Sequence, residues 1–179
     1  MRRALHRHPE SYCDAPLRID AEILALNAGV LALRYEVVGA VGDLRLPRAA
    51  STARADGLWR STCFEAFLRA GNGDAYCEFN FAPSTEWAAY RFSRYREGMR
   101  PLDVAAPRIE TMAAGDRFEL RATLDLSARP ERSDAQWRLG LAAVIEETNG
   151  RLSYWALAHQ QGKPDFHHPD CFALELPHA

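Results

Sequence analysis

The 179-residue sequence has no CxxC pair, no HExxH, no Gly-rich phosphate loop and no Gly-x-Ser-x-Gly frame around a serine. Those absences remove the commonest zinc-module, metalloprotease, nucleotide-binding and α/β-hydrolase readings. No window approaches 18 apolar residues, so no membrane-spanning helix is indicated. Beyond the Met1-Arg2-Arg3 start there is no basic block, and the formal net charge is −2. Nucleic-acid binding driven by counterion release is therefore not expected. Met1 to Cys13 carries Arg2, Arg3, His6, Arg7, His8 and Pro9 without a continuous apolar segment, so no secretory signal is read and a cytoplasmic location is expected. Cys13, Cys63, Cys77 and Cys171 are widely spaced, and in a reducing compartment they are expected as buried thiols.

What is present fits one globular core: the chain is 47% hydrophobic and 26% charged. The expected organisation is an N-terminal arm over 1–16 and a single domain over 17–179. Short β-compatible runs alternate with turn chemistry. Pro16 to Leu26 and Val30 to Val38 flank Asn27-Ala28-Gly29, and Asp43 to Leu46 reads as a short strand. Trp59 to Phe81 is broken by Asn72-Gly73, a strong two-residue hairpin signal. Paired positions there sum to 145, so Phe64 meets Phe81, Ala66 meets Phe79 and Leu68 meets Cys77 on one face. The opposite face carries Trp59, Cys63, Glu65 and Phe67 against Arg69-Tyr76, Glu78 and Asn80, a mixture suited to a wet or ligand-facing surface.

Two further hairpins are read at Ala114-Gly115-Asp116 and Asn149-Gly150. In the last, pairs summing to 299 set Trp155 opposite Val144, Ser153 opposite Glu146 and Tyr154 opposite Ile145. Cys171 to Leu176 reads as a final strand. The expected fold is all-β, an antiparallel β-sandwich with at most one or two short helices, near Ala49 to Asp56 or Glu86 to Tyr95.

Three strings carry a resemblance. Trp59-Arg60-Ser61-Thr62-Cys63-Phe64-Glu65-Ala66-Phe67, then Tyr76-Cys77-Glu78-Phe79-Asn80-Phe81-Ala82-Pro83-Ser84 with Trp87-Ala88-Ala89-Tyr90, resemble DOMON-like proteins, relatives of family 9 carbohydrate-binding modules. The tail, Ser153 to His159 and Gly162 to Phe172, resembles a bacterial subgroup fused to, or grouped with, a MurB-like protein. The resemblance spans about Leu17 to Leu176. It implies a β-sandwich whose members bind sugars or, in other branches, haem. It further implies a sugar site of a Trp, a Glu six residues on and a charged-x-Asn pair, which match Trp59, Glu65 and Asn80. Glu78 stands where sugar-binding relatives tend to carry Arg. Trp155 is expected as the second aromatic wall.

The function expected is non-catalytic binding of a carbohydrate or sugar-derived metabolite. Trp59 and Trp155 would stack, Glu65, Glu78 and Asn80 would contact hydroxyls, and Lys163, Asp165, His167 and His168 would close the site. No cofactor is expected. Four alternatives stand beside this reading. Asp165, His167, His168 and Cys171 could group around a metal, and haem could be ligated by His159, His167, His168 or Met99. Glu65 with Glu78 could serve a sugar-acting hydrolase or lyase; Glu146 and Glu147 point to opposite faces and could not. The chain could also be a structural partner domain of a neighbouring enzyme.

Overall fold

The computed structural model describes residues 1–27, 29–48, 52–71, 73–126 and 136–176. The chain enters through β1 (Arg2–Arg7) and a long hairpin, β2 (Pro16–Asn27) and β3 (Val30–Gly39). In β3, Leu31, Leu33, Tyr35 and Val37 alternate along the strand and all four are buried. Next, β4 (Cys63–Ala70), β5 (Tyr76–Phe81) and β6 (Trp87–Phe92) form a meander buried on both faces. A short β7 (Arg100–Pro101) follows, then a hairpin of β8 (Arg108–Ala114) and β9 (Arg117–Asp125). The chain ends with β10 (Trp137–Glu146), β11 (Leu152–Ala156) and β12 (Leu174–Leu176).

Every named pairing is antiparallel, in the order β7-β6-β5-β4-β10-β11-β1-β2-β3-β9-β8, with β12 beside β10. The sheet curls at β1. Arg2 to Leu5 pair with β2, while His6 and Arg7 pair with β11, so one short strand joins two layers. The layers pack face to face over the main core. Tyr35 and Phe64 lie 5.1 Å apart between ring centroids, Phe64 and Phe118 5.9 Å, and the Tyr35 hydroxyl donates to the Glu65 carbonyl at 2.8 Å. The chain is thus an all-β sandwich. Among the described residues the only helical pieces are 3₁₀ turns at Val41–Asp43, Leu58–Arg60 and Pro169–Cys171, and none could cross a membrane.

The outer faces of the two layers differ. On the β2–β3–β9 layer, Arg2 bridges Asp20 and Glu36 at 2.6 and 2.5 Å, and Arg34 meets Glu22 at 2.7 Å, which makes a solvated ionic surface. On the other layer, a second apolar cluster of Phe67, Tyr76, Tyr90, Phe92, Val144, Phe166 and Phe172 is covered by the chain between β11 and β12. Gly140 permits that close cover: a Cβ there would stand 2.9 Å from the Cys171 carbonyl oxygen.

Several expectations change. The stretch read as an arm, 1–16, holds β1, and Leu5 joins the main core. Asp43 to Leu46 is a 3₁₀ turn and a single bridge from Leu44 to Glu147. The final strand starts at Leu174, because Pro169 to Cys171 turns instead. Glu86 to Tyr95 contains β6 and no helix, while Ala49 to Ser51 lie outside the described residues and Arg54 makes a bridge to Trp87. Ala28 and Asn72, within two of the expected turns, also lie outside the described residues.

The third hairpin is off by one residue. Gly150 N–H bonds the Glu147 carbonyl at 2.8 Å, Gly150 has φ 84°, and Glu147 pairs across with Arg151. Thr148-Asn149-Gly150 is therefore a three-residue loop, a tight turn followed by a left-handed Gly. Paired positions sum to 298, so Trp155 faces Ala143 and Tyr154 faces Val144. A slip of one position exchanges the faces. Trp155 points into the main core and Tyr154 points out.

Candidate functional site

The floor of the site comes from the β4–β5 hairpin in the register read from sequence: Glu65 opposite Asn80, Phe67 opposite Glu78, Arg69 opposite Tyr76. Glu65 and Glu78 are thus diagonal neighbours on the outer face, a relation that sets them about 7–8 Å apart. Ala142 flanks Glu65 on β10 and Ala88 flanks Asn80 on β6. These small side chains keep the floor low around two long carboxyl side chains.

Above it lies a cavity of about 390 Å³, towards the lower end of the ~300–1,000 Å³ usual for small-ligand sites. Trp59 enters from the 3₁₀ turn Leu58–Arg60, and Tyr154 and Val144 from β11 and β10. Phe92, Arg96 and Met99 come from the end of β6 and the loop after it; Pro164, Phe166 and His167 come from the β11–β12 connection. Trp59 is 38% exposed and stands edge-on to Tyr90, 6.2 Å between centroids. It offers an apolar plate at little ordering cost.

The floor is electrostatically unusual. Glu65 is 3% exposed and its Oε1 has no hydrogen-bond partner in the protein. Burial, reinforced by Glu78, pushes the Glu65 carboxyl well above the usual carboxylate range. Burial also raises Glu78, to about 7, against the opposing influence of Asn80 and Arg96. The Asn80 amide donates to Glu78 Oε1 at 2.6 Å, and the Cys63 thiol donates to Asn80 Oδ1 at 3.5 Å, which fixes the amide's orientation.

His167 is held in an aromatic box of Phe67, Tyr76 and Phe92, with centroids 5.2, 5.8 and 5.1 Å away. The Tyr76 hydroxyl accepts from the Arg96 backbone N–H at 3.2 Å and shares a hydrogen bond with His167 Nδ1 at 2.7 Å. The other ring nitrogen, Nε2, lies 3.8 Å from Glu78 Oε2. Burial, then the nearby Arg96 charge, lowers the imidazole to about 4, so it is neutral at physiological pH.

Asp165 organises the rim. It accepts from Arg96 Nε and Nη2 at 3.2 and 2.7 Å, from the Tyr95 hydroxyl, and from the His167 backbone N–H at 3.0 Å. Of the residues singled out from sequence, Trp59, Glu65, Glu78 and His167 line the cavity, and Asn80 lies directly beneath. Asp165 acts on the site through Arg96. Lys163 is exposed next to Pro164, and His168 instead accepts from the Asp170 N–H at 3.3 Å. Trp155 is in the core, its indole donating to Ser153 Oγ at 3.0 Å.

The metal and haem alternatives fare unevenly. Asp165, His167, His168 and Cys171 turn to separate partners, the Cys171 thiol to the Asp165 carbonyl at 3.2 Å. Among the described residues no three or more His, Cys, Asp or Glu side chains group to hold a metal ion. His167 and Met99 line the cavity, whereas His159 Nε2 engages the His6 carbonyl at 2.7 Å outside it. Glu146 holds Ser61 at 2.5 Å, and Glu147 accepts from the Asp14 and Ala15 backbone N–H groups, both at 2.7 Å; both serve the fold.

Sequence reasoning missed Tyr154 and Arg96. Tyr154 was lost with the hairpin register. Arg96 sits in a left-handed turn with φ 54°, in a stretch whose aromatic spacing fits no single period.

Fold and site together define a two-layer antiparallel β-sandwich with an aromatic-walled, carboxyl-floored cavity on the outer face of one layer. No protein-family model matches the chain, and no curated protein matches it. Among solved structures it is similar to a candidate carbohydrate-binding protein from Bacteroides uniformis, with 16% identity, 95% of this chain and 83% of that one covered, and a TM-score of 0.69. At that identity the likeness establishes the fold. Looser matches are family 9 carbohydrate-binding modules from Caldicellulosiruptor kristjanssonii, both 14% identical over 81% of this chain. The complex with glucose is covered to 69% with a TM-score of 0.46, and that with cellotriose to 67% with 0.48.

Proposed function

We propose that this chain is a non-catalytic binding protein for a small saccharide or sugar-derived metabolite, held in the cavity over Glu65 and Glu78. The observation that carries the reading is one cavity that joins aromatic plates, exposed Trp59 and half-buried Tyr154, to buried polar groups on its floor. A sugar ring needs both: an apolar surface for its C–H face and fixed donors and acceptors for its hydroxyls. Glu65 in its acid form both donates and accepts, Glu78 accepts, and Asn80 fixes Glu78 in place. The Bacteroides uniformis neighbour, described as a candidate carbohydrate binder, shares the fold that presents such a face. DOMON-like kinship and association with a MurB-like protein belong to the same proposal and rest on the sequence resemblance.

The test is a thermal-shift and calorimetric screen against mono- and disaccharides. A ligand at 100 times its Kd stabilises by about 2.7 kcal/mol, which for a chain of this size raises Tm by roughly 5–10 °C. Glu65→Gln should reduce the shift while the fold remains intact. No shift with any saccharide would overturn the reading. Turnover of a saccharide, lost in Glu65→Gln, would make the protein a sugar-acting enzyme instead.

A further inference from the structure

Two buried carboxyl groups share one cavity floor, and among the described residues no Lys or Arg side chain pairs with either. Arg96 is the cation nearest the floor, and Asp165 holds its guanidinium through two hydrogen bonds at 3.2 and 2.7 Å. Arg96 lowers both floor carboxyls, but its guanidinium is committed to Asp165 and bonds neither of them, and burial outweighs it at both. Arg69 shares the outer face of β4 but lies over the Phe172 ring at 4.8 Å, and Arg54 donates to the Ala89 and Leu102 carbonyls, so neither is paired with a floor carboxyl. The remaining titratable groups around the floor bring no positive charge. They are Cys63 on β4, Tyr76 on β5, Tyr90 on β6, Tyr35 across the core, and neutral His167 on the covering segment. His167 Nε2 stops 3.8 Å short of Glu78 Oε2, outside hydrogen-bond reach.

A second observation points to a ligand: Glu65 Oε1 is buried, unpartnered and part of a group that lines the cavity. A buried acceptor left unmade costs about 1–3 kcal/mol, so natural proteins keep such atoms where something else completes them. A third is the wall. Trp59, Phe92, Tyr154 and Phe166 line the same space, and aromatic faces attract a cation within about 6 Å. Carboxyl floor and aromatic wall together suit a cation better than a neutral hydroxyl.

We infer that the preferred ligand carries a cationic amine, as an amino sugar does, and that its ammonium is received between the Glu65 and Glu78 carboxyls. This rests on the saccharide reading and narrows it. An ammonium has three donors and no acceptor, which matches a floor of acceptors. Its arrival favours the ionised carboxylates, so the acidic proton of a Glu65 or Glu78 carboxyl leaves to solvent as the ammonium–carboxylate pair forms. A uronic acid would add a third carboxylate beside the two already there, and is disfavoured.

The experiment is isothermal titration calorimetry at pH 6.5 with D-glucosamine, D-galactosamine and D-mannosamine, each against its parent hexose, its N-acetyl derivative and D-glucuronate. It is run in phosphate and in an amine buffer, whose ionisation heats differ. The expected result is an amino sugar bound at least tenfold more tightly than its parent and its N-acetyl form, with buffer-dependent heats that report net proton release. Glu65→Gln/Glu78→Gln should shrink that preference to within about twofold. The N-acetyl comparison needs no variant, so it stands if the double variant fails to fold. Equal or tighter binding of the parent hexose, the N-acetyl sugar or glucuronate, or heats independent of buffer, would overturn the inference and leave saccharide binding standing. No binding of any sugar would overturn both.

Discussion

His167 Nε2 faces Glu78 Oε2 across 3.8 Å, beyond hydrogen-bond reach. The two groups are displaced in opposite senses by the same burial: Glu78 is raised to about 7 and His167 lowered to about 4. Their effects on stability therefore oppose each other.

The first prediction concerns that opposition. Between about pH 4.5 and 7 the folded chain holds the Glu78 proton and the unfolded chain does not, so this group's contribution is present below 4.5 and is lost as pH rises to 7. Between about pH 4 and 6.5 only the unfolded chain holds the His167 proton, so that contribution grows as pH rises. Across the shared range these two contributions should nearly cancel each other. Glu78→Gln removes one side. Its stability relative to wild type should improve by about 3 kcal/mol between pH 4.5 and pH 8, at ~1.4 kcal/mol per pH unit of displacement. Chemical denaturation at the two pH values checks this; an unchanged difference would refute it.

The second separates two adjacent aromatics. Trp155 is packed in the main core, whereas Tyr154 is half-buried on the cavity wall. Trp155→Phe should lower stability by about 1–3 kcal/mol, less than the 3–5 kcal/mol of a full truncation, and leave saccharide affinity within twofold. Tyr154→Ala should weaken binding about tenfold or more with a smaller loss of stability. Paired melts and titrations distinguish the two; the reverse pattern would restore the register read from sequence.

The third concerns the rim. Asp165→Ala removes the acceptor shared by Arg96, Tyr95 and the His167 N–H. Leaving a charged group without its partner costs about 1–3 kcal/mol or more. Amide hydrogen exchange should quicken at 94–99 and 163–168 while the β2–β3 amides stay protected. Uniform quickening would contradict a local role.

How much of this was legible depended on chain distance. Glu65, Glu78 and Asn80 were placed on one face correctly because the register read from the Asn72-Gly73 sequence signal is the one in which β4 and β5 pair. The same dipeptide at Asn149-Gly150 misled, since hydrogen bonding from Gly150 to Glu147 extends that loop to three residues and reverses the faces of β11. The rim was beyond local reasoning: Arg96 and Asp165 stand 69 residues apart in sequence, and no periodicity records that they meet. β1 was overlooked because a strand that joins two layers along its length carries mixed signals, with Leu5 buried among exposed Arg2, Arg3, His6 and Arg7.

The fourth concerns the cover over the floor. Gly140→Val would drive side-chain atoms into the Cys171 carbonyl oxygen, which lies 2.9 Å from where a Cβ would stand, and against Phe67. Overpacking of this kind costs about 1–3 kcal/mol. Lifting the 166–172 segment should also open the cavity, so affinity should fall together with Tm. Affinity unchanged in a destabilised variant would show that this segment is not part of the site.

The most direct measurement is a crystal structure of the protein soaked with the saccharide that gives the largest thermal shift. The account predicts a sugar ring stacked on Trp59 or Tyr154, with polar atoms within about 3.2 Å of both Glu65 and Glu78. A sugar bound on another surface, with only water over those two carboxyls, would contradict it.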